Sequence, residues 1–259
     1  LQEALADQDE HWWDEETGTV ADRYSRDWSK RDDYRGLNST MHTIEAYLAA
    51  AEATHDPELV HRAGRMLERV YAEAERYGWR FPEHHDADWN VLPAYNIDAP
   101  ATPYYPYGTV IGHSLELARL ALQYRGALRE FGLEEPPGII ESATKVFDRA
   151  RADGWRRGGK PGFLYTVDLE GEPVLTDRFQ WVASEAVATA ASMRRATLDD
   201  GGSVGDVELY DHSYRTWVDY VHDYMMLGEG VLARALNEDS EPVEETIPAR
   251  PDIYHAIQA

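Results

Sequence analysis

The chain has 259 residues, 43% of them hydrophobic, and no cysteine; it carries 48 acidic against 25 basic side chains, a formal charge of −23. That apolar content suffices for one large core, the missing thiols exclude disulfides and cysteine chemistry, and an acidic surface disfavours phosphate backbones and anionic lipid heads, so neither nucleic acid nor membrane is an expected partner. No stretch reaches the roughly 18 apolar residues of a membrane helix, and Leu1-Gln2-Glu3-Ala4 has neither the basic nor the apolar region of an export signal, so a cytoplasmic protein is the default reading.

Only Lys30, Lys145 and Lys160 are lysines; the other basic residues are arginines. The acids are spread through segments of helical pattern rather than gathered in a tail. Self-repulsion of this size destabilises a fold at low ionic strength and is screened by salt, which points to a halophilic host. Stability is accordingly expected to rise between low and molar KCl in thermal melts; a flat or falling profile would remove the halophile reading.

In chain order, Met41, Ile44, Ala46, Leu48 and Ala49 share one helical face, predicting a helix over 38–53. Asp56-Pro57 supplies a cap and a first-turn proline for a second helix over 58–77. The segment 80–107 is dense in proline, aromatics and histidine without a clear period, and loops of that length in compact domains are usually functional. Further helices are predicted over 109–131, 137–153, 178–196 and 207–226. Gly162 to Val167 and Pro173 to Leu175, separated by Glu170-Gly171, predict a small hairpin. Paired helices with elaborate loops suggest a toroid of helical hairpins or a solenoid, although no fixed-period repeat is visible.

The residues able to do chemistry are scattered. His42 lies on the first predicted helix, one turn after Asn38 and nearly one turn before Glu45. His113 follows Gly112 at a helix start with Glu116 three residues on, Trp181 and Glu185 are four apart, and His255 follows Tyr254. Taken singly, a helical histidine is more often structural than catalytic, and a lone tryptophan more often core. His-Glu-x-x-His and Gly-x-Ser-x-Gly are absent, excluding the zinc-protease and nucleophile-elbow patterns. His84-His85-Asp86 with Asp88 has the composition of a metal cluster, but adjacent histidines usually point apart. Glu45, Glu116 and Glu185 could supply the carboxylate pair of a glycoside hydrolase.

Four motifs in order carry a resemblance. Asn38-Ser39-Thr40-Met41-His42 with Glu45-Ala46, Gly112-His113-Ser114-Leu115-Glu116, Trp181-Val182-Ala183-Ser184-Glu185-Ala186 and Tyr254-His255 resemble the signatures of the N-acylglucosamine 2-epimerase superfamily. The stretches Glu83 to Asn90 and Gly162 to Trp181 look closer to its aldose–ketose isomerases acting on mannose, lyxose or sulfoquinovose. The resemblance implies an all-α (α/α)6 barrel. It further implies that 1–259 is one catalytic domain incomplete at both ends, lacking roughly a third of the barrel at the N-terminus. It also implies that His113 and His255 are an acid/base pair working through a cis-enediol without metal or other cofactor, with His42 opening the sugar ring. Asn38, Glu116 and Glu185 would contact the sugar, Trp181 would wall its C–H face, and Arg35 would contribute to the rim. The implied partners are a small sugar and, at most, further copies of the chain.

Departures bear on the substrate. Sulfoquinovose isomerases carry arginines shortly before Gly-His where this chain has Pro103-Tyr104-Tyr105, so a neutral sugar is expected. Leu117 replaces a tryptophan, and Gly228-Glu229-Gly230-Val231-Leu232 replaces the Gly-x-Trp before the last loop. The competing expectations are a 2-epimerase, an (α/α)6 glycoside hydrolase or lyase, and a sugar-binding protein without turnover.

Overall fold

The computed structural model describes residues 1–243 and 254–258. After a short helix α1 (Gln2–Asp7), a π-helical turn and the pair β1 (Trp13–Asp14) and β2 (Thr19–Val20), the chain makes one unit three times. Strand β3 (Arg35–Gly36) leads into α2 (Leu37–Thr54), which α3 (Pro57–Arg76) follows back before β4 (His84–His85). Strand β5 (Thr109–Val110), α4 (Ile111–Glu130), α5 (Ile139–Gly154) and β6 (Thr166–Val167) repeat the pattern, with β7 (Pro173–Leu175) added beside β6. Strand β8 (Arg178–Phe179), α6 (Gln180–Asp199) and α7 (Val204–Tyr220) make the third, followed by a hairpin of β9 (Met226–Gly228) and β10 (Val231–Leu232) and then β11 (Ala235–Leu236). A last short helix, α8 (Tyr254–Gln258), packs on α6.

Within each unit the two strands pair antiparallel, Arg35 with His85, Thr109 with Val167 and Ala235 with Phe179. Each pairing clasps the start of its first helix. Gly36, Val110 and Phe179 hold the extended N-cap conformation with no side-chain cap. Distant carbonyls replace the cap, accepting from Leu37 N (Glu83 O, 2.9 Å), Ile111 N (Tyr165 O, 3.1 Å) and Gln180 N (Arg234 O, 2.9 Å). Gly108, at φ 97°, opens the second clasp; a Cβ there would lie 2.2 Å from the Val167 carbonyl oxygen.

The helices pack as α2 on α3, α4 on α5 and α6 on α7, with α4 lying between α2 and α6. This gives an inner row and an outer row, the arrangement of an α/α toroid. The outer α3 shows why. Asp56 accepts from Glu58 N at 3.0 Å with Pro57 in the first turn, and Leu59, Val60, Ala63, Met66, Leu67, Val70 and Ala74 form one buried stripe. The inner α4 is buried nearly all round, including His113, Glu116 and Arg119, because helices flank it on both sides.

Sequence expectation and structure differ at helix ends. Thr109-Val110 and Arg178-Phe179 are strands rather than first helical turns, since their backbone groups are taken by the clasps. Helix α7 starts at Val204, where Ser203 accepts from Asp206 N at 3.1 Å, and widens into a π-helical turn over Val221–Met225. The expected hairpin is present as β6–β7, joined by β5 into three strands. Among the described residues no helix is long and apolar enough to cross a membrane.

Candidate active site

The clasped ends of α2, α4 and α6 bring their first turns together. His42 and Glu45 come from α2, His113, Glu116 and Arg119 from α4, and Trp181 and Glu185 from α6. Helix α8 adds Tyr254 and His255; the preceding Asp252-Ile253 of that motif lie outside the described residues.

Both imidazoles of the expected acid/base pair are held the same way. His113 Nδ1–H donates to Glu83, whose carboxylate oxygens lie 2.9 and 3.1 Å away, and Glu83 also accepts from Val110 N at 3.0 Å. His255 Nδ1–H donates to Glu185 at 2.8 Å, while Arg119 Nε donates to the other oxygen of that carboxylate at 3.0 Å. An ionised carboxylate only accepts, so each Nδ1 carries a hydrogen, and in the neutral form of each ring Nε2 is the atom that presents a lone pair. The Trp181 indole neighbours both, its centroid 5.5 Å from the His113 ring and 5.2 Å from the His255 ring. Gly112 makes that position available, because the indole occupies the space a Cβ would fill.

The other half of the site is a knot of carboxylates around one arginine. The buried Arg119 guanidinium meets Glu185, Glu45 at 3.7 Å and Glu116 at 3.8 Å. Burial would weaken its charge, but the carboxylates of Glu185 and Glu116 more than offset this and raise its pKa. Glu45 is also pushed up by burial, yet hydrogen bonds from His42 and Tyr254 and the charge of Arg119 hold it down at about 2. Glu116 goes the other way: burial first, then the charges of Glu185 and Glu45, raise it well above the ordinary range, with Arg119 offsetting only part. His42, the most open of the histidines here, lies 3.5 Å from Glu45 and 4.0 Å from Glu116.

Two sets of possible ligand atoms, from His42, Glu45 and Glu116 and from Glu116, Glu185 and His255, lie within 4.8 Å of one another. Arg119 already places a permanent cation against the carboxylates of both sets, so hydroxyl groups suit this corner better than a dication.

His42, His113, Glu116, Trp181, Glu185 and His255 are therefore gathered in one place. Asn38 is half-buried in the first turn of α2, one turn before His42. Arg35 is buried in β3, where its guanidinium donates to the carbonyls of Asp32 (2.7 Å) and Tyr34 (2.8 Å). The two adjacent histidines diverge: His84 bridges Tyr34 OH (2.6 Å) and Pro106 O (2.8 Å), while His85 donates to Glu73 at 2.6 Å. Glu83 and Arg119 were not anticipated as site residues. Arg119 had a signal, a cation in the otherwise apolar run Leu117 to Ala121 at helical spacing from Glu116. Glu83 had none, lying in the irregular segment 30 residues before its partner.

The N-acylglucosamine 2-epimerase (GlcNAc 2-epimerase) family pattern matches residues 1–259. D-mannose isomerase from Pseudomonas cannabina pv. alisalensis is 36% identical over 250 residues, covering 96% of this chain and 58% of that protein. D-mannose isomerase from Thermobifida fusca is 37% identical over 262 residues, covering 100% and 61%. A D-mannose isomerase crystal structure superposes with a TM-score of 0.86 at 26% identity, over 99% of this chain and 63% of that one. Cellobiose 2-epimerase from Bacillus thermoamylovorans B4167 shares the fold, with a TM-score of 0.74 at 16% identity over 99% and 63%. The chain thus spans about three fifths of the length of these relatives. With its motifs assembled on the shared helical hairpins, the chain belongs to the N-acylglucosamine 2-epimerase family.

Proposed function

We propose that this protein is an aldose–ketose isomerase interconverting a mannose-like and a fructose-like sugar. The observation that carries the proposal is the pair of carboxylate-held imidazoles that share one indole as neighbour. Each has its Nδ1 fixed by a carboxylate, leaving Nε2 as the proton-transferring atom. An open-chain aldose laid with its C–H face on Trp181 would present C1 and C2 to these nitrogens.

In this reading His113 and His255 are the acid/base pair about a cis-enediol, a task suited to imidazole because it gains and loses a proton near neutral pH. His42, the most exposed of the three imidazoles and backed by Glu45, assists ring opening. Asn38, Glu116 and Glu185 contact sugar hydroxyls. The identities of 36 and 37% with D-mannose isomerases support the substrate class.

Incubation with D-mannose in heavy water, followed by NMR, tests it. The expected product is fructose carrying deuterium at C1. Glucose labelled at C2 would instead make the protein a 2-epimerase, and binding in calorimetry without turnover would make it a sugar-binding protein.

A further inference from the structure

Turning an aldose into a ketose moves two protons: one from C2 to C1, and one from the C2 hydroxyl to the C1 oxygen. Imidazoles poised at carbon leave the second transfer without an agent. We propose that Glu116 is a neutral carboxylic acid that carries the hydroxyl proton from O2 to O1, a catalytic role that rests on the isomerase reading above.

The geometry sets Glu116 apart. Its side chain is fully buried, and neither carboxyl oxygen has a hydrogen-bond partner. The neighbouring carboxylates are all supplied with donors: Glu83 by Val110 N and His113, Glu185 by Arg119 and His255, and Glu45 by Tyr254. An ionised carboxylate buried without donors is heavily penalised, whereas its protonated form is not. The charged and titratable groups facing it are His42 and Glu45 from α2, Arg119 on its own helix, and Glu185 and His255 from α6 and α8. The two nearby acids oppose ionisation, and the single arginine, 3.8 Å away, offsets only part of that. Nη2 of Arg119 likewise lacks a hydrogen-bond partner, leaving a donor beside the acid for a sugar oxygen.

The transfers balance. An imidazole Nε2 takes the C2 proton, the C–H electrons form the C1=C2 bond, and the C1=O1 pair takes the carboxyl proton of Glu116. The resulting Glu116 carboxylate then removes the O2 proton as C2=O2 forms, and the C1=C2 pair takes the proton back from the imidazolium at C1. Acid and imidazole end as they began, and no oxidant or further reactant is consumed.

The test compares the wild-type protein with Glu116→Gln and Glu116→Asp on D-mannose. Glutamine can bind hydroxyls but cannot release a proton, so kcat should fall about 10³-fold with KM little changed, and aspartate should recover part of the loss. A raised KM with kcat intact would overturn the relay and leave Glu116 a binding residue. A wild-type protein inert toward aldoses would overturn the isomerase reading, and the relay with it. Infrared spectroscopy gives a second readout that needs no turnover. Near neutral pH the wild type should show the C=O stretch of a protonated carboxyl that Glu116→Gln lacks; its absence from the wild type would also overturn the proposal. Stability should carry the same signature. With the folded pKa raised, the folded state holds this proton at pH values where the unfolded chain has lost it, so wild-type stability should fall relative to Glu116→Gln as pH rises through that window.

Discussion

A His113→Asn protein should bind D-mannose but convert it about 10³- to 10⁴-fold more slowly than the wild type. Asparagine can still donate from its amide to Glu83, so the contact that ties α4 to the preceding loop is kept. What it cannot do is take up a proton at the ring position proposed to face C1 and C2. The loss should therefore fall on kcat, with circular dichroism and melting temperature close to wild type. Under the proposed mechanism deuterium exchange at C2 of mannose should drop in parallel, because abstraction and return would both pass through the enediol. Activity within about tenfold of wild type would move the chemistry to the carboxylates and revive the glycoside hydrolase or lyase reading.

Gly112→Ala should be nearly as damaging, although the substitution adds one methyl group and improves intrinsic helix propensity by about 1 kcal/mol. The new Cβ would lie 2.2 Å from Cζ3 and 2.4 Å from Cη2 of Trp181, contacts that real atoms do not make. Either the indole or the helix must move, and overpacking of this kind typically costs about 1–3 kcal/mol. The indole neighbours both imidazoles, so its displacement disturbs the placement of each. An error of about 1 Å in such an arrangement is enough for a loss of about 10²-fold. Shrinking the wall provides the control: adding Trp181→Leu to Gly112→Ala should restore the melting temperature but not kcat/KM. Loss of stability that persists in the double variant would place the strain elsewhere.

The legible part of this fold was what local pattern specifies. The apolar stripe of α3 and its Asp56-Pro57 start were readable because a half-buried helix needs a face. The threefold unit was not. Its recurring mark is a pairing of strands two or three residues long, too short for alternation to register, joined by loops of unequal length and composition. His42, His113, Glu116, Trp181, Glu185 and His255 were found through short motifs; the first five converge because their motifs sit just inside the clasped starts of α2, α4 and α6, and His255 joins them because α8 packs on α6. Glu83 escaped because it lies in one unit and serves the next. The same loop carbonyl clasps α2 while its side chain steadies the histidine of α4, a double duty that no local spacing reveals. The apolar run around Arg119 marked it as buried, but its role stayed hidden until three acids from three helices were seen to enclose it.

The clasps all lie at one rim, and the turns at the other rim are simple: His55–Asp56, Phe131–Gly138 and Asp200–Ser203. The strand clasps and the long segments joining one unit to the next thus share the rim of the candidate site, and the far rim carries only short turns. Fluorophores, affinity tags or grafted peptides placed in those far turns would sit a helix length from the candidate site, about 25–30 Å for helices of this size. The far edge is thus the natural handle for immobilising or labelling this protein while its working edge stays untouched.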